Sequence, residues 1–381
     1  MADCAVVREH RPLRVLLTHT YCWPEVRRGA ERYIHELGAA LIDAGHDVRI
    51  VATAPLRSTG TVLDVPVTRL RRRKGPARYG DLGAEVAFGR ETLLRHIVDR
   101  IDVWHAFGTG DAAAAAFLSR LRLFPRVRSV YTDLGGPVRS YRENRPDHRL
   151  FQYAVRNLDA YLCLSESTRA VLESDYDRRG LVVGGGVDVV RFTPAPERSP
   201  VPTLLFMSAV DDARKNLPLL LKAFDLIVAT RPEVRLVLAG PGDAGPALAA
   251  STDRVRAATD VRGVGEVEDV AALYAGAWVT VLPSMREAFG LVLVESLASG
   301  TPVVAIAGSG GPVEIVQPGI GVLARDQSPE ALANGCLEAL SLAAVGDKTR
   351  DACRREAVAK YSWGTAIVPR LERIYRADLR E

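Results

Sequence analysis

The stretch Ser284–Val316, SMREAFGLVLVESLASGTPVVAIAGSGGPVEIV, decides how the whole chain is read. It follows Trp278–Leu282, WVTVL, an apolar β-branched run closed by Pro283, which suits a strand buried on both faces of a parallel sheet. A polar turn comes next. Apolar residues then fill Leu291–Ala298 until Gly300 and Pro302, a helical run with a glycine stop and a proline beyond it. The helix is therefore expected to begin near Phe289 to Leu291. A second strand, Val303–Ile306, leads to Gly308, Ser309, Gly310 and Gly311, a turn whose glycines would let another backbone approach the same ligand.

The first backbone N–H groups of a helix lack helical partners and together carry about half a positive charge, so the start at Gly290, Leu291 and Val292 is a ready site for a diphosphate. Gly290 keeps a Cβ out of the way there. Glu287 lies in the turn before the helix, and Glu295 more than a turn inside it. A carboxylate accepts two hydroxyl hydrogen bonds at once, so the pair suits a polyol such as a ribose or a hexose. Two glutamates alone would suit an ordinary surface-charged helix equally well. The whole run is what separates the readings.

Glu287 and Glu295 have seven residues between them, Phe289-Gly290-Leu291 included, and are followed by ESLASGTPVVA and the glycine-rich turn. This resembles the donor-binding motif of the retaining glycosyltransferases of family four. The resemblance implies an α/β protein of GT-B architecture: two Rossmann-like doubly wound domains facing a cleft, with a C-terminal helix crossing back to the first.

At 381 residues the chain is too long for one typical core and about right for two domains. Hydrophobic residues at 48% with charged residues at 25% describe a soluble globular protein, and no apolar run is long enough for a membrane span. Leu13–Leu17 is too short for the apolar core of a signal peptide. Cys4, Cys22, Cys163, Cys336 and Cys353 are scattered without paired spacing, so neither a disulfide framework nor a zinc site is expected, and the reducing cytoplasm is the expected compartment. The preference for Arg over Lys, with abundant Ala, fits a G+C-rich bacterial genome. A formal charge of +4 is too weak to argue for nucleic acid.

In chain order, Arg14–Thr18 reads as a first strand, followed by a loop and the helix ERYIHELGAALIDAG, with Ile34, Leu37, Leu41 and Ile42 on one face. Gly29 stands at the second glycine of the family's loop pair; Arg28 replaces the first. Arg69–Lys74, RLRRRK, is the densest charge run. It suits a solvated strand edge, or contact with a polyanionic acceptor or anionic membrane surface, where each cation gains about 1 kcal/mol. No helix-turn-helix or zinc motif accompanies it, so nucleic acid is not expected. Ile101–Ala106 is a buried strand with His105 at its carboxyl end, where open α/β sheets place ligands. After the strand Ser129–Thr132, Asp133 stands where the family commonly carries a histidine lining the acceptor and donor-sugar cleft. Structural roles for His105 and Asp133, capping a helix or fixing a loop, are the competing reading. Asp175-Tyr176-Asp177 imitates the Asp-x-Asp that binds manganese in glycosyltransferases of the other fold, but its place near a helix end suits a solvated turn.

GGGVDVVRFTP, Gly184–Pro194, resembles the segment that closes the family's first domain, with Gly185 in place of an asparagine. The four prolines of Thr193–Pro202 read as a linker. Beyond it, Lys215 matches the family's diphosphate lysine, a mobile cation beside charge that grows on the leaving group. The usual Gly-Arg pair aligns with Ala209 and Val210, leaving Arg214 or a first-domain arginine to compensate. GPGDAG, Gly240–Gly245, is formally a dinucleotide fingerprint, but Pro241 stiffens it and no long helix opens at once. Val261–Val267 resembles the segment that cradles the nucleotide base, with Gly265 at the family's glycine. Tyr361–Tyr375 resembles the family's closing helix, with Trp363 and Ile374 as core anchors.

The expected division is residues 1–192 on the acceptor side, a 193–202 linker, a nucleotide-sugar domain at 203–360 and a 361–381 helix returning to the first domain. The resemblance implies transfer of a sugar from a nucleoside diphosphate sugar to an acceptor hydroxyl, on a small molecule, glycan, lipid-linked carrier or secondary metabolite, with retention. Donor binding falls to Gly29, Lys215, Arg214, Gly265, Phe289, Gly290, Leu291, Val292 and Glu295. Glu287 holds the donor hexose, while His105 or Asp133 orients the acceptor. No cofactor or metal is required if these groups neutralise the diphosphate. The alternatives are a nucleotide-sugar epimerase or phosphorylase of the same fold, and a nucleotide-sugar-binding scaffold without catalysis.

Overall fold

Short apolar β-branched runs alternating with longer amphipathic ones give two separate parallel sheets. The computed structural model describes residues 11–26, 29–72, 81–96, 100–121, 126–263 and 267–377. Contacts divide these into two units: unit 1 takes the described residues of 11–133, 138–162 and 371–377, and unit 2 takes Leu134–Pro137 and Cys163–Arg370.

Unit 1 is built on β1 (Arg14–Thr18), β2 (Asp47–Ala54), β3 (Ser58–Val62), β4 (Val65–Arg71), β5 (Val103–Ala106), β6 (Arg128–Thr132) and β7 (Ala160–Cys163), in the spatial order β3-β4-β2-β1-β5-β6-β7. All neighbours are parallel except the β3–β4 hairpin. β1 is central: Val15 pairs with Val48 on one side and Val103 on the other. β5, β6 and β7 are buried throughout, as strands covered on both faces must be. Trp104 is fully buried, and its indole donates to Thr18 Oγ1 at 2.9 Å. The chain's last turns belong to this unit, with Leu371 and Tyr375 in its core.

Two expectations about that C-terminal run need correction. Tyr361–Tyr375 is not one helix: a helix ends at Tyr361, a π-helical turn spans Trp363–Ile367, and a new helix runs Val368–Arg376. Trp363 is buried, but Ile374 is only half-buried, because the face turned inward carries Leu371 and Tyr375, four residues apart.

In unit 2 the helix Glu166–Tyr176 is followed by the short β8 (Leu181–Val182), after which Val183 N donates to Cys163 O at 3.0 Å. Its own sheet contains β9 (Thr203–Met207), β10 (Arg235–Ala239), β11 (Thr259–Arg262), β12 (Val279–Leu282), β13 (Val303–Ile306) and β14 (Gly321–Ala324), all parallel. The order is β11-β10-β9-β12-β13-β14, so the chain winds outward from β9, returns beside it as β12, and winds outward the other way. Ligands of such sheets bind beyond the carboxyl ends of the strands where the order reverses, here β9 and β12. The core beneath that point is apolar: Phe206, Leu220, Phe224 and Leu236 are sealed from solvent. Burying each stabilises by about 1.5–3 kcal/mol.

The proline-rich stretch expected as a linker lies wholly inside unit 2, as does 163–192. It is irregular but pinned. Arg198 donates to Ala343 O and Gly300 O at 2.8 and 2.9 Å, and Trp278 Nε1 donates to Ser199 O at 2.8 Å. Among the described residues, no helix is long and apolar enough to cross a membrane.

Candidate active site

Two loops leave the sheet of unit 2 at the reversal point. The one after β9 closes with a 3₁₀ turn, Ala213–Lys215, capped by the Asp212 side chain, which accepts from Arg214 N at 3.0 Å. The one after β12 carries Glu287. Lys215 Nζ meets Glu287 Oε2 at 2.5 Å, with both side chains about one-fifth exposed. Met285 N donates to Arg214 O at 3.2 Å, a second tie between the loops.

The Glu287 turn is also laced to the glycine-rich turn after β13. Glu287 N donates to Ser309 O at 2.8 Å, and Gly311 N donates to Glu287 O at 2.9 Å. A Cβ on Gly310 would stand 2.5 Å from Glu287 O, and one on Gly311 would stand 2.5 Å from Ala288 O. These glycines were expected to let another backbone approach the ligand; in the structure they let their own backbone approach that of the Glu287 turn. Ser165 Oγ donates to Ala288 O at 2.8 Å from the start of the helix Glu166–Tyr176. Glu314 closes that helix start, accepting from Glu166 N and Ser167 N at 2.9 and 3.0 Å.

The helix Leu291–Ala298 starts where the sequence places it, with Gly290 at the cap in a left-handed conformation, φ 104°. Leu293 N is satisfied by Gly290 O, whereas no group among the described residues accepts from the Leu291 and Val292 amides. Both residues are half-exposed. The Phe289 side chain, expected at the donor, instead packs inward: it is 4% exposed and meets Tyr361 edge-on at 5.7 Å. It also explains Gly185, where a Cβ would stand 2.5 Å from the ring, so the family's asparagine would not fit there. Glu295 is 4% exposed, one turn below Leu291, and its Oε2 accepts from the Tyr274 hydroxyl at 2.8 Å.

Val210, standing at the family's arginine, belongs to the apolar core and contributes no cation. Arg214 lies at the surface with its guanidinium 2.7 Å from Asp212, whose carboxyl that hydrogen bond holds below its usual value. In unit 1, Gly29 opens the helix Gly29–Asp43 and is exposed. Gly265, with Arg28, lies outside the described residues.

The acceptor-orienting roles expected of His105 and Asp133 do not fit their surroundings. His105 is fully buried, its Nδ1 2.6 Å from Tyr375 OH and its Nε2 2.7 Å from Thr132 Oγ1; burial pushes it down to about 3, so it stays neutral. Asp133 is the counter-ion of Arg142, with the Tyr161 hydroxyl donating to the same oxygen at 2.9 Å. Burial by itself would lower the Arg142 guanidinium, yet the Asp133 charge beside it holds it above its usual value. Both residues fasten the core of unit 1.

Sequence reasoning missed Ser165, Tyr274 and Glu314, because their partners lie on other elements of the fold; a polar side chain in an otherwise apolar run, as at Tyr274, was the available signal. Of the Asp-x-Asp, expected as a solvated turn, Asp175 and Tyr176 instead end the helix Glu166–Tyr176. Asp177 caps its helix in a left-handed conformation, and only a five-residue helix, Gly245–Ala249, follows Gly240. Of the charge run, Leu70 is buried, and Arg72 reaches Glu25 at 3.1 Å and Thr53 Oγ1 at 3.2 Å; Arg73 and Lys74 lie outside the described residues.

The chain is similar to known proteins. A family described as glycosyltransferase family 4 matches residues 27–191, and one described as glycosyl transferases group 1 matches residues 193–359. A phosphatidyl-myo-inositol mannosyltransferase of Mycolicibacterium smegmatis is 26% identical over 298 residues, 74% of this chain and 73% of that one. Sucrose-phosphate synthase from Thermosynechococcus elongatus has a similar fold, with a TM-score of 0.78 at 22% identity over 96% of this chain and 98% of that one. So does Anabaena HepE in complex with UDP and glucose, with a TM-score of 0.71 at 17% identity over 95% and 99%. With both matches laid end to end over nearly the whole length, the chain belongs to the family-four glycosyltransferases, enzymes of GT-B architecture.

Proposed function

We propose that this enzyme moves a sugar from a nucleoside diphosphate sugar to an acceptor hydroxyl with retention at the anomeric carbon, and that unit 2 holds the donor. The carrying observation is the Lys215–Glu287 pair beside the two uncommitted amides of Leu291 and Val292. The amides and Lys215 receive the diphosphate and stabilise the charge that grows on it as the sugar departs. Glu295 accepts from the ribose and Glu287 from the hexose. With Lys215 and the helix start neutralising the leaving group, no bound metal is needed.

Glu287, held by the same lysine that meets the phosphates, is too close to the leaving group to act as a nucleophile. The departing phosphate oxygen takes the acceptor proton. A donor of UDP-glucose type is supported by the UDP and glucose named for HepE. The acceptor carries a free hydroxyl on a small molecule, a glycan or a lipid-linked carrier. The cytoplasm is the compartment that supplies such donors.

The test is a screen of nucleotide sugars by thermal shift, then turnover of the stabilising donor with an acceptor panel and the anomeric coupling of the product read by proton NMR. Retention is expected. Inversion, or a donor interconverted without acceptor, would overturn the reading; binding without turnover would favour the scaffold, which the apolar Val210 keeps as the second reading.

A further inference from the structure

We infer that Tyr274 determines specificity for the nucleotide sugar moiety: its hydroxyl aims the Glu295 carboxylate at the ribose and so selects ribonucleoside over 2′-deoxyribonucleoside diphosphates. The inference rests on the role given to Glu295 above.

Tyr274 comes from the helix Val267–Gly276 and Glu295 from the helix Leu291–Ala298, and the phenol donates to Oε2 at 2.8 Å. The tyrosine is fully buried and the glutamate nearly so, which makes this contact insensitive to solvent. The residue is held at both ring and backbone. Phe192 meets it edge-on at 5.8 Å, and Thr301 Oγ1 donates to the Tyr274 carbonyl at 2.7 Å. The hydroxyl therefore stands at a point set by packing, and the carboxylate orients to it.

The chemistry of the partner matters. A lysine or arginine there would compete with the ribose as a charged partner; a phenol directs the carboxylate with a single neutral donor. An ionised carboxylate offers about four acceptor positions, and the phenol occupies one. A ribose diol presents two donors to such a group, and a deoxyribose only one. Removing a donor from a buried carboxylate leaves an unmet acceptor away from water, which is how sites built around hydroxyls reject analogues that lack them. Without the phenol, the Glu295 carboxylate loses a donor that holds its orientation, and with it the discrimination that the orientation gives.

The experiment is calorimetry on the full chain with whichever of UDP, ADP and GDP binds most tightly, and with its 2′-deoxy counterpart. Wild type should prefer the ribonucleotide by roughly 10- to 100-fold, the span of one charged hydrogen bond. Tyr274→Phe, which removes one oxygen, should cut that preference to below roughly threefold, chiefly by weakening the ribonucleotide, with the deoxynucleotide nearly unchanged. A ribonucleotide preference unaltered in Tyr274→Phe overturns the assignment to Tyr274 and leaves Glu295 as the ribose ligand. No preference in wild type overturns the role of Glu295, and this inference with it. If Tyr274→Phe does not fold, Thr301→Val, which frees the tyrosine backbone, is read the same way: reduced preference supports the assignment and unaltered preference overturns it.

Discussion

Lys215 Nζ stands 2.5 Å from Glu287 Oε2, bridging the two loops that leave the second sheet where its strand order reverses. Each side chain supplies the other's counter-charge, and a diphosphate bound at the helix start as proposed would compete with Glu287 for the ammonium. The two residues should therefore separate on mutation. Lys215→Met is expected to weaken nucleoside diphosphate affinity about 10- to 100-fold, the loss of one charged contact. Glu287→Ala should leave that affinity within about threefold while lowering turnover about 100-fold. Calorimetry and release of nucleoside diphosphate measure the two effects; an unimpaired Glu287→Ala removes that residue from the mechanism.

The glycines of the turn after β13 should differ sharply in tolerance. Gly311→Ala drives a methyl to 2.5 Å from Ala288 O, backbone that cannot step aside without moving the Glu287 turn. It should cost about 1–3 kcal/mol in urea denaturation and lose most turnover. Gly308→Ala meets nothing within 4 Å and carries only its φ of +78°, so about 1–2 kcal/mol and near-normal turnover are expected. Equal turnover in the two variants would show that the backbone approach does not control Glu287.

Restoring the family's arginine should fail. Val210 is 6% exposed within the apolar core, so Val210→Arg buries an unpaired charge and should destabilise by at least about 3 kcal/mol, read as a lowered melting temperature. A folded, more active variant would mean that the loop after β9 can turn this position toward the donor.

His105 makes a pH prediction. Burial lowers it from 6.5 to about 3, so the folded state takes up its proton later than the unfolded chain. The contribution to stability is intact above about pH 6.5 and is lost as the pH falls toward 3. His105→Gln does not titrate, so the stability difference between wild type and variant should shrink by roughly 1 kcal/mol per unit from pH 6 to pH 4. Urea denaturation at each pH checks this; a constant difference would mean that His105 is charged in the fold.

The region from Trp278 to Val316 was readable because its signals are local: a β-branched run, a proline, a helical period, a glycine stop and two carboxylates at fixed spacing. The alternation of strands and helices pointed to two doubly wound units, whereas the strand order within each sheet comes from the structure alone. His105 was placed correctly at the end of its strand, but its partner Tyr375 lies 270 residues away, and no local pattern shows that a histidine at a strand's carboxyl end has been sealed into the core. Phe289 was misread for the same reason, since its neighbours Gly185 and Tyr361 come from distant segments. Glu314, three residues beyond Gly311, carries no local signal of its own; its hold on the amides of Glu166 and Ser167 appears only in three dimensions.

The central claim is that the amides opening the helix Leu291–Ala298 hold the donor's diphosphate. The most direct measurement is a crystal structure with the nucleoside diphosphate that most stabilises the protein. Its phosphate oxygens are expected within hydrogen-bond distance of Leu291 N, Val292 N and Lys215 Nζ, with the ribose at Glu295. A diphosphate bound away from those amides contradicts the account.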